Sequence, residues 1–241
     1  MMDSYDVLAY AELATWQKKM LQSPSILNNL SKKIQTKINS WIPEKIHNAI
    51  TVTIRQMIRS VLFGSKYTTS SILLNTSFQE REEAVLRKID IYRNTAAMEG
   101  GIIGAGGILL GLAEFPILVG IKLKLLFEIA SLYGFDITNY KERIYLLNIF
   151  ELTFSSDENR KKVYLKLIDW EIKSKDLPEN IHQFDWRTLQ QEYRDYIDLA
   201  KMAQLIPVIG APIGAIVNYR LIKKLGFTAM NAYRMRLLNT N

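Results

Sequence analysis

No cysteine occurs anywhere in the 241 residues. Its absence excludes a disulfide framework, a thiolate nucleophile and any cysteine-based zinc or iron–sulfur centre, and it suits a reducing compartment. Histidine is scarce as well, with only two residues, both in polar surroundings. A Ser-His-Asp arrangement therefore gains no support, and no His-Glu-x-x-His motif occurs. The opening Met1-Met2-Asp3-Ser4-Tyr5-Asp6 lacks a basic stretch followed by an apolar one, so a secretory signal is not expected and the chain is assigned to the cytoplasm. No convincing strand pair, internal repeat or nucleic-acid module stands out.

What is abundant is apolar sequence at helical intervals. Hydrophobic residues make up 48% and charged residues 23% of the chain, the balance of a globular protein. Tyr5, Leu8, Trp16 and Met20, then Leu27, Leu30, Ile34, Ile38 and Trp41, then Ile46, Ile50, Ile54, Met57, Ile58 and Val61 mark three amphipathic helices. Ser23-Pro24 and Pro43 punctuate their starts, and Phe63-Gly64 ends the third. Ser77-Phe78-Gln79-Glu80 matches a capping box opening a fourth helix, and Ser155-Ser156-Asp157-Glu158 matches a second one further on. Tyr133-Gly134 reads as a helix stop and Thr138 as a start. A polar loop follows over 176–185, then a helix from Trp186, and a basic helix from Tyr219 closes the chain.

The net charge of +7 is unevenly spread. Residues 1–98 hold 13 basic and 8 acidic side chains, residues 151–200 hold 8 and 11, and the last 41 residues hold six basic and no acidic ones. Basic ends suit an anionic surface, and without a nucleic-acid module the inner face of a membrane is the expected one.

Twelve glycines are not many, but seven of them fall between 100 and 120. Each costs about 1 kcal/mol against alanine inside a helix, so close packing has to recover the loss. Gly100 and Gly104, Gly107 and Gly111, and later Gly210 and Gly214 are spaced four apart, the pattern that lets helices approach. The second stretch, over 203–217, is equally apolar and holds Pro207 and Pro212. These features predict an all-α, single multi-helix domain over 1–241 around a central pair of glycine-rich apolar helices. Residues 1–75 would supply basic amphipathic N-terminal helices and 77–241 the main bundle. The glycines do not form a phosphate loop, because Leu109 stands where G-x-G-x-x-G requires glycine, and no Gly-Lys-Ser/Thr follows. Ile102 to Ile121 has the length of a membrane span, about 20 residues, but Glu114 inside it opposes insertion.

Candidate chemistry rests on two sets of acids. Glu99, Glu114 and Glu128 sit in apolar sequence, where a buried carboxylate must be paired, hydrogen-bonded or protonated, and they are candidates for one catalytic site. Glu114-Phe115-Pro116, at an expected kink, leads them. Glu44 with His47 and Glu179 with His182 repeat the Glu-x-x-His spacing of two-metal carboxylate sites, with Glu12 and Glu151 available to complete the set. Each pair also follows proline, which makes it an ordinary helix start. No cofactor is expected.

Thr95 to Gly134, with its Glu-Gly-Gly, Glu-Phe-Pro and Glu-Ile-Ala-Ser-Leu-Tyr-Gly phrases, followed by Lys141-Glu142-Arg143, resembles the EcsC family. Trp16-Gln17-Lys18-Lys19-Met20, the phrase from Trp41 to His47, Phe184-Asp185-Trp186-Arg187, the stretch from Pro207 to Tyr219 and the phrase from Ala229 to Arg234 extend the resemblance over nearly the whole chain. Where that family often has aspartate before the central x-Pro, Glu114 keeps the charge on a longer side chain. The resemblance implies the setting of a bacterial ABC transporter and transfers no catalytic residue. Three functions follow as expectations. The first is a non-catalytic cytoplasmic protein at the inner membrane surface or on ABC-transporter subunits. The second is a carboxylate- or metal-dependent enzyme, and the third a lipid-chain binder.

Overall fold

The computed structural model describes residues 4–22, 44–63, 76–105, 107–198, 202 and 211–238, with backbone only at 45–47, 100–112 and 211–214. Nine α-helices account for these residues: α1 (Ser4–Leu21), α2 (Glu44–Phe63), α3 (Phe78–Ala105), α4 (Gly107–Leu132), α5 (Tyr140–Phe154), α6 (Arg160–Leu167), α7 (Trp170–Lys173), α8 (Trp186–Tyr196) and α9 (Ala211–Leu238). The all-α expectation holds. The helix expected around Leu27 to Trp41 lies outside the described residues.

Local chemistry sets most boundaries. Ser77 and Glu80 close the capping box reciprocally: Ser77 N–H donates to Glu80 Oε2 at 2.8 Å and Glu80 N–H to Ser77 Oγ at 3.2 Å. α4 stops where Gly134 takes φ +93° and Phe135 N–H reaches back to the Ala130 carbonyl at 3.0 Å, a Schellman arrangement. Two starts differ from expectation. α5 is capped by Asn139, whose side chain accepts from Lys141 N–H, because Thr138 is engaged with Asp136. The box expected at 155–158 is displaced: α6 begins at Arg160, and Ser156 Oγ accepts from Asn159 N–H at 3.3 Å. α4 runs through Pro116, whose ring is exposed.

α3, α4 and α9, the helices that carry the glycine-rich stretches, pack together. α3 and α4 form an antiparallel hairpin, with Lys88 paired to Glu128 and Glu82 to Tyr133. α9 lies antiparallel along α3, the most extensive helix pairing in the fold, with Arg234 on Glu82 and Arg93 over the Tyr219 ring. How Gly100 to Gly111 face 203–214 lies outside the described side chains. The close approach that is described occurs at Gly226, where a Cβ would fall 2.5 Å from Ile89 Cγ1. Gly120, by contrast, faces open space.

α5 is the most enclosed element, buried at every residue from Ile144 to Phe154. It packs against α9, α2, α4 and α6, while α1 and α2 lean on the same core. A helix covered on all sides needs no polar stripe, and here Asn148 and Glu151 are buried with the rest.

Candidate functional site

α3 and α4 leave a groove along one side of their hairpin. Lys88, Ile91, Tyr92 and Thr95 recur at helical spacing on α3, and Ile117, Gly120, Ile121, Lys124 and Glu128 on α4; together they enclose about 640 Å³. Gly120 keeps the wall open because it has no side chain to fill it. Large apolar side chains are exposed here: Ile91 at 58%, Ile117 at 54% and Met98, two turns beyond Ile91, at 72%. Glu128 stands in the groove with only 5% of its surface exposed and pairs with Lys88 at 3.3 Å. Burial, reinforced by the Glu128 charge, pushes the Tyr92 hydroxyl up to about 12.

The opposite face of α4 carries a second polar feature. Lys122 is fully buried, and its ammonium donates to the Leu118 carbonyl and to Asn218 Oδ1 of α9, each at 3.1 Å. Burial drives its pKa down to about 7, against the pull of the Glu99 charge. Glu99 is half-buried, and its Oε2 is enclosed with no hydrogen-bond partner among the described residues.

The three acids singled out from sequence therefore do not meet. Glu128 lines the groove, Glu99 neighbours Lys122, and Glu114 stands half-buried on the first half of α4, outside the groove lining. The Glu-x-x-His pairs are also apart from any common centre. Glu44 is exposed on the first turn of α2, and the His47 side chain lies outside the described ones. Glu179 is exposed and pairs with Lys141 at 3.0 Å, while the His182 ring stacks on Phe63 at 6.1 Å. Glu12 pairs with Arg234, and Glu151 with Lys166 at 3.0 Å. Among the described residues no group of three His, Asp or Glu is placed to hold a metal.

Sequence reasoning missed the basic partners. Arg234 grips the fully buried Glu82 through two bonds of 2.7 and 2.6 Å, and Tyr5 and Tyr133 hydroxyls donate to the same carboxylate. Arg236 holds Glu142 equally tightly and lies 3.8 Å from the Phe135 ring centroid. Two of the six C-terminal cations are thus interior, while Arg220 and Lys223 remain exposed. No helix among the described residues is long and apolar enough to cross a membrane.

The family model for the EcsC protein family matches residues 8–238. The chain is 42% identical over 236 residues to Protein EcsC of Bacillus subtilis (strain 168), covering 96% of this chain and 95% of that protein. It is 26% identical over 247 residues to Uncharacterized protein YdbA of the same organism, covering 93% and 90%. No solved structure matches the chain.

Proposed function

We propose that this chain, which belongs to the EcsC protein family, is a non-catalytic cytoplasmic protein that rests on the inner surface of the cell membrane through the α3–α4 groove. One observation carries the reading: Ile91, Met98 and Ile117 are more than half exposed together on one hairpin, with Lys88 and Lys124 beside them. Apolar side chains of this size gain about 1.5–3 kcal/mol each when fully buried, and proportionately less when half of that surface is already covered. Lys124 adds attraction to anionic headgroups, about 1 kcal/mol near the surface, while Lys88 is offset by its pairing with Glu128. The large buried carboxylates support a non-catalytic role, since Glu82, Glu142 and Glu151 are held by Arg234, Arg236 and Lys166.

Co-sedimentation with vesicles tests this. The protein should pellet with phosphatidylglycerol vesicles at low salt, and Ile91→Ser with Met98→Ser and Ile117→Ser should abolish the effect. A protein that stays in solution with anionic vesicles at low salt refutes the reading. The partner we propose at the membrane is an ABC-transporter complex, on the strength of the family resemblance alone. Co-purification of transporter subunits from detergent-solubilised membranes is the expected result.

The volume of the groove favours a second reading, that it takes a lipid chain along Ile91, Ile117 and Ile121 with the headgroup near Lys124. Native mass spectrometry of gently purified protein would show an adduct of lipid mass, and the bare chain mass would count against it.

A further inference from the structure

α8 turns an unusual face towards α2. Its buried stripe is Leu189 and Tyr193, yet the stripe beside it reads Arg187, Gln190, Gln191 and Arg194, at spacings of three, one and three residues. Two helices that pack normally meet through apolar side chains. Here they part around a cavity of about 260 Å³, to which α2 contributes Thr51, Ile54 and Arg55.

Three guanidinium groups and two amides line this cavity, and no carboxylate does. The acids of α8 and its cap have partners of their own, one of them a cavity arginine. Asp185 caps the helix through Thr188, Glu192 pairs with Lys166 at 2.8 Å, and Asp195 sits beside Arg194 Nε at 3.3 Å. Among the described residues no carboxylate forms an ion pair with Arg55 or Arg187. Gln190 Nε2 is enclosed and finds no acceptor among the described residues. A buried amide donor left unmade is costly, and three guanidinium groups offset only by Asp195 on Arg194 and by the Asp185 charge near Arg187 leave the cavity net positive. Both costs vanish when an anion with several acceptor oxygens occupies the space.

We propose that the cavity between α2 and α8 binds a phosphate-bearing small molecule. Arginine presents a planar fork of donors that matches phosphate oxygens, and three of them with Gln190 suit a tetrahedral anion better than a planar carboxylate. The volume lies just below the range of about 300–1,000 Å³ typical of drug-sized ligands, so the ligand is a phosphoryl group with a short attachment. Ile54 and Tyr193 supply an apolar wall for that attachment. The phosphoryl group is that of a free metabolite or of a phosphatidate headgroup; the chemistry recognised is the same. This site stands apart from the α3–α4 groove, and the inference does not rest on membrane binding.

Isothermal titration of the full chain with inorganic phosphate, pyrophosphate and glycerol 3-phosphate forms one arm. Dihexanoyl phosphatidic acid below its micelle concentration forms the other. Saturable binding is expected in at least one arm, weakened about tenfold by Arg187→Gln and about a hundredfold by Arg187→Gln with Arg194→Gln, since charge-assisted bonds carry about that much each. Arg55→Gln, on the opposite helix, should weaken it independently, and Arg187→Lys, which keeps charge but loses the fork, should fall between. All three arginines are exposed, so circular dichroism should show unchanged folding. Binding of the soluble anions identifies a metabolite, and binding of the phosphatidate alone identifies a lipid headgroup. Absence of saturable binding in both arms, or affinity unchanged in the double variant, overturns the proposal.

Discussion

Replacing Lys122 by methionine should reverse its effect on stability as pH rises. The two side chains are similar in length, but lysine brings a charge into a fully buried position. The unfolded chain keeps that ammonium protonated up to about 10.5, whereas in the folded protein burial brings the pKa to about 7. Below pH 7 both states hold the proton, and the folded state bears the whole cost of enclosing the charge. Between 7 and 10.5 the unfolded state binds one more proton than the folded one, so wild-type stability rises with pH by about 1.4 kcal/mol per unit. The penalty at pH 6 is thus about 5 kcal/mol and is gone near pH 10. Methionine escapes it but leaves Asn218 Oδ1 and the Leu118 carbonyl without the lysine's hydrogen bonds, a cost of about 1–3 kcal/mol. Lys122→Met should therefore be about 2–4 kcal/mol more stable than wild type at pH 6 and less stable by about 1–3 kcal/mol near pH 10. Urea unfolding followed by tryptophan fluorescence at several pH values measures the difference directly. Because both proteins share every other titrating group, only the difference is needed. Two parallel profiles would refute the reasoning. Glu99→Gln should move the onset of the rise below pH 7, since the Glu99 charge helps to keep the ammonium protonated.

Glu151 titrates with the opposite sign. Burial, only partly offset by Lys166, raises its pKa to about 7, so the folded state holds an extra proton between 4.5 and 7 and stability falls across that window by about 3 kcal/mol. Glu151→Gln should flatten this decline in denaturation at pH 5 and 7.5, and an unchanged slope would contradict it. Gly226→Ala should cost about 1–3 kcal/mol through its clash with Ile89, less about 1 kcal/mol of helix propensity. Thermal unfolding of Gly226→Ala, Ile89→Ala and the pair should reveal a coupling of at least about 0.5 kcal/mol, and strict additivity would show that the two residues do not touch. Arg234→Ala should cost about 3–5 kcal/mol by leaving Glu82 buried and charged, and Glu82→Leu with Arg234→Met should cost less than that single change. Guanidinium denaturation that ranked them the other way would remove the pair from the account.

Much of the helical skeleton was legible because its signals are local. The Ser77–Glu80 box, the Gly134 stop and the start at Trp186 each depend on residues within a few positions of one another, and each forms. The shift at α6 arose because the two serines serve other ends: Ser155 Oγ donates to the Leu152 carbonyl, and Ser156 Oγ accepts from Asn159 N–H in the turn that precedes the helix. The start of α5 was legible near Thr138, but its burial on every side was not. Tyr140-Lys141-Glu142-Arg143 gives it a charged start and Asn148 and Glu151 add polar positions, yet the rest of the fold closes over every side.

The candidate site was legible by residue type and illegible by pairing. Apolar surroundings singled out Glu99, Glu114 and Glu128 alike, although Glu128 is buried and the other two half-buried, and nothing near them in sequence names Lys88 or Lys122 as neighbours of Glu128 and Glu99. Hydrogen bonds that span 152 residues from Glu82 to Arg234, and 94 from Glu142 to Arg236, are set by helix packing alone. The same distance effect alters what the net charge means. Counting the basic C-terminus as a surface assigned Arg234 and Arg236 to an external partner, although each is over nine-tenths buried against a carboxylate. Other cations are exposed over much of the surface, among them Lys18, Lys19, Lys161, Arg220 and Lys223, but Arg55, Arg187 and Arg194 gather about one cavity and Lys124 stands beside the apolar groove. What marks those two places for a membrane or anion partner is the cavity or apolar groove beside the charge, which a count of basic residues along the chain does not single out.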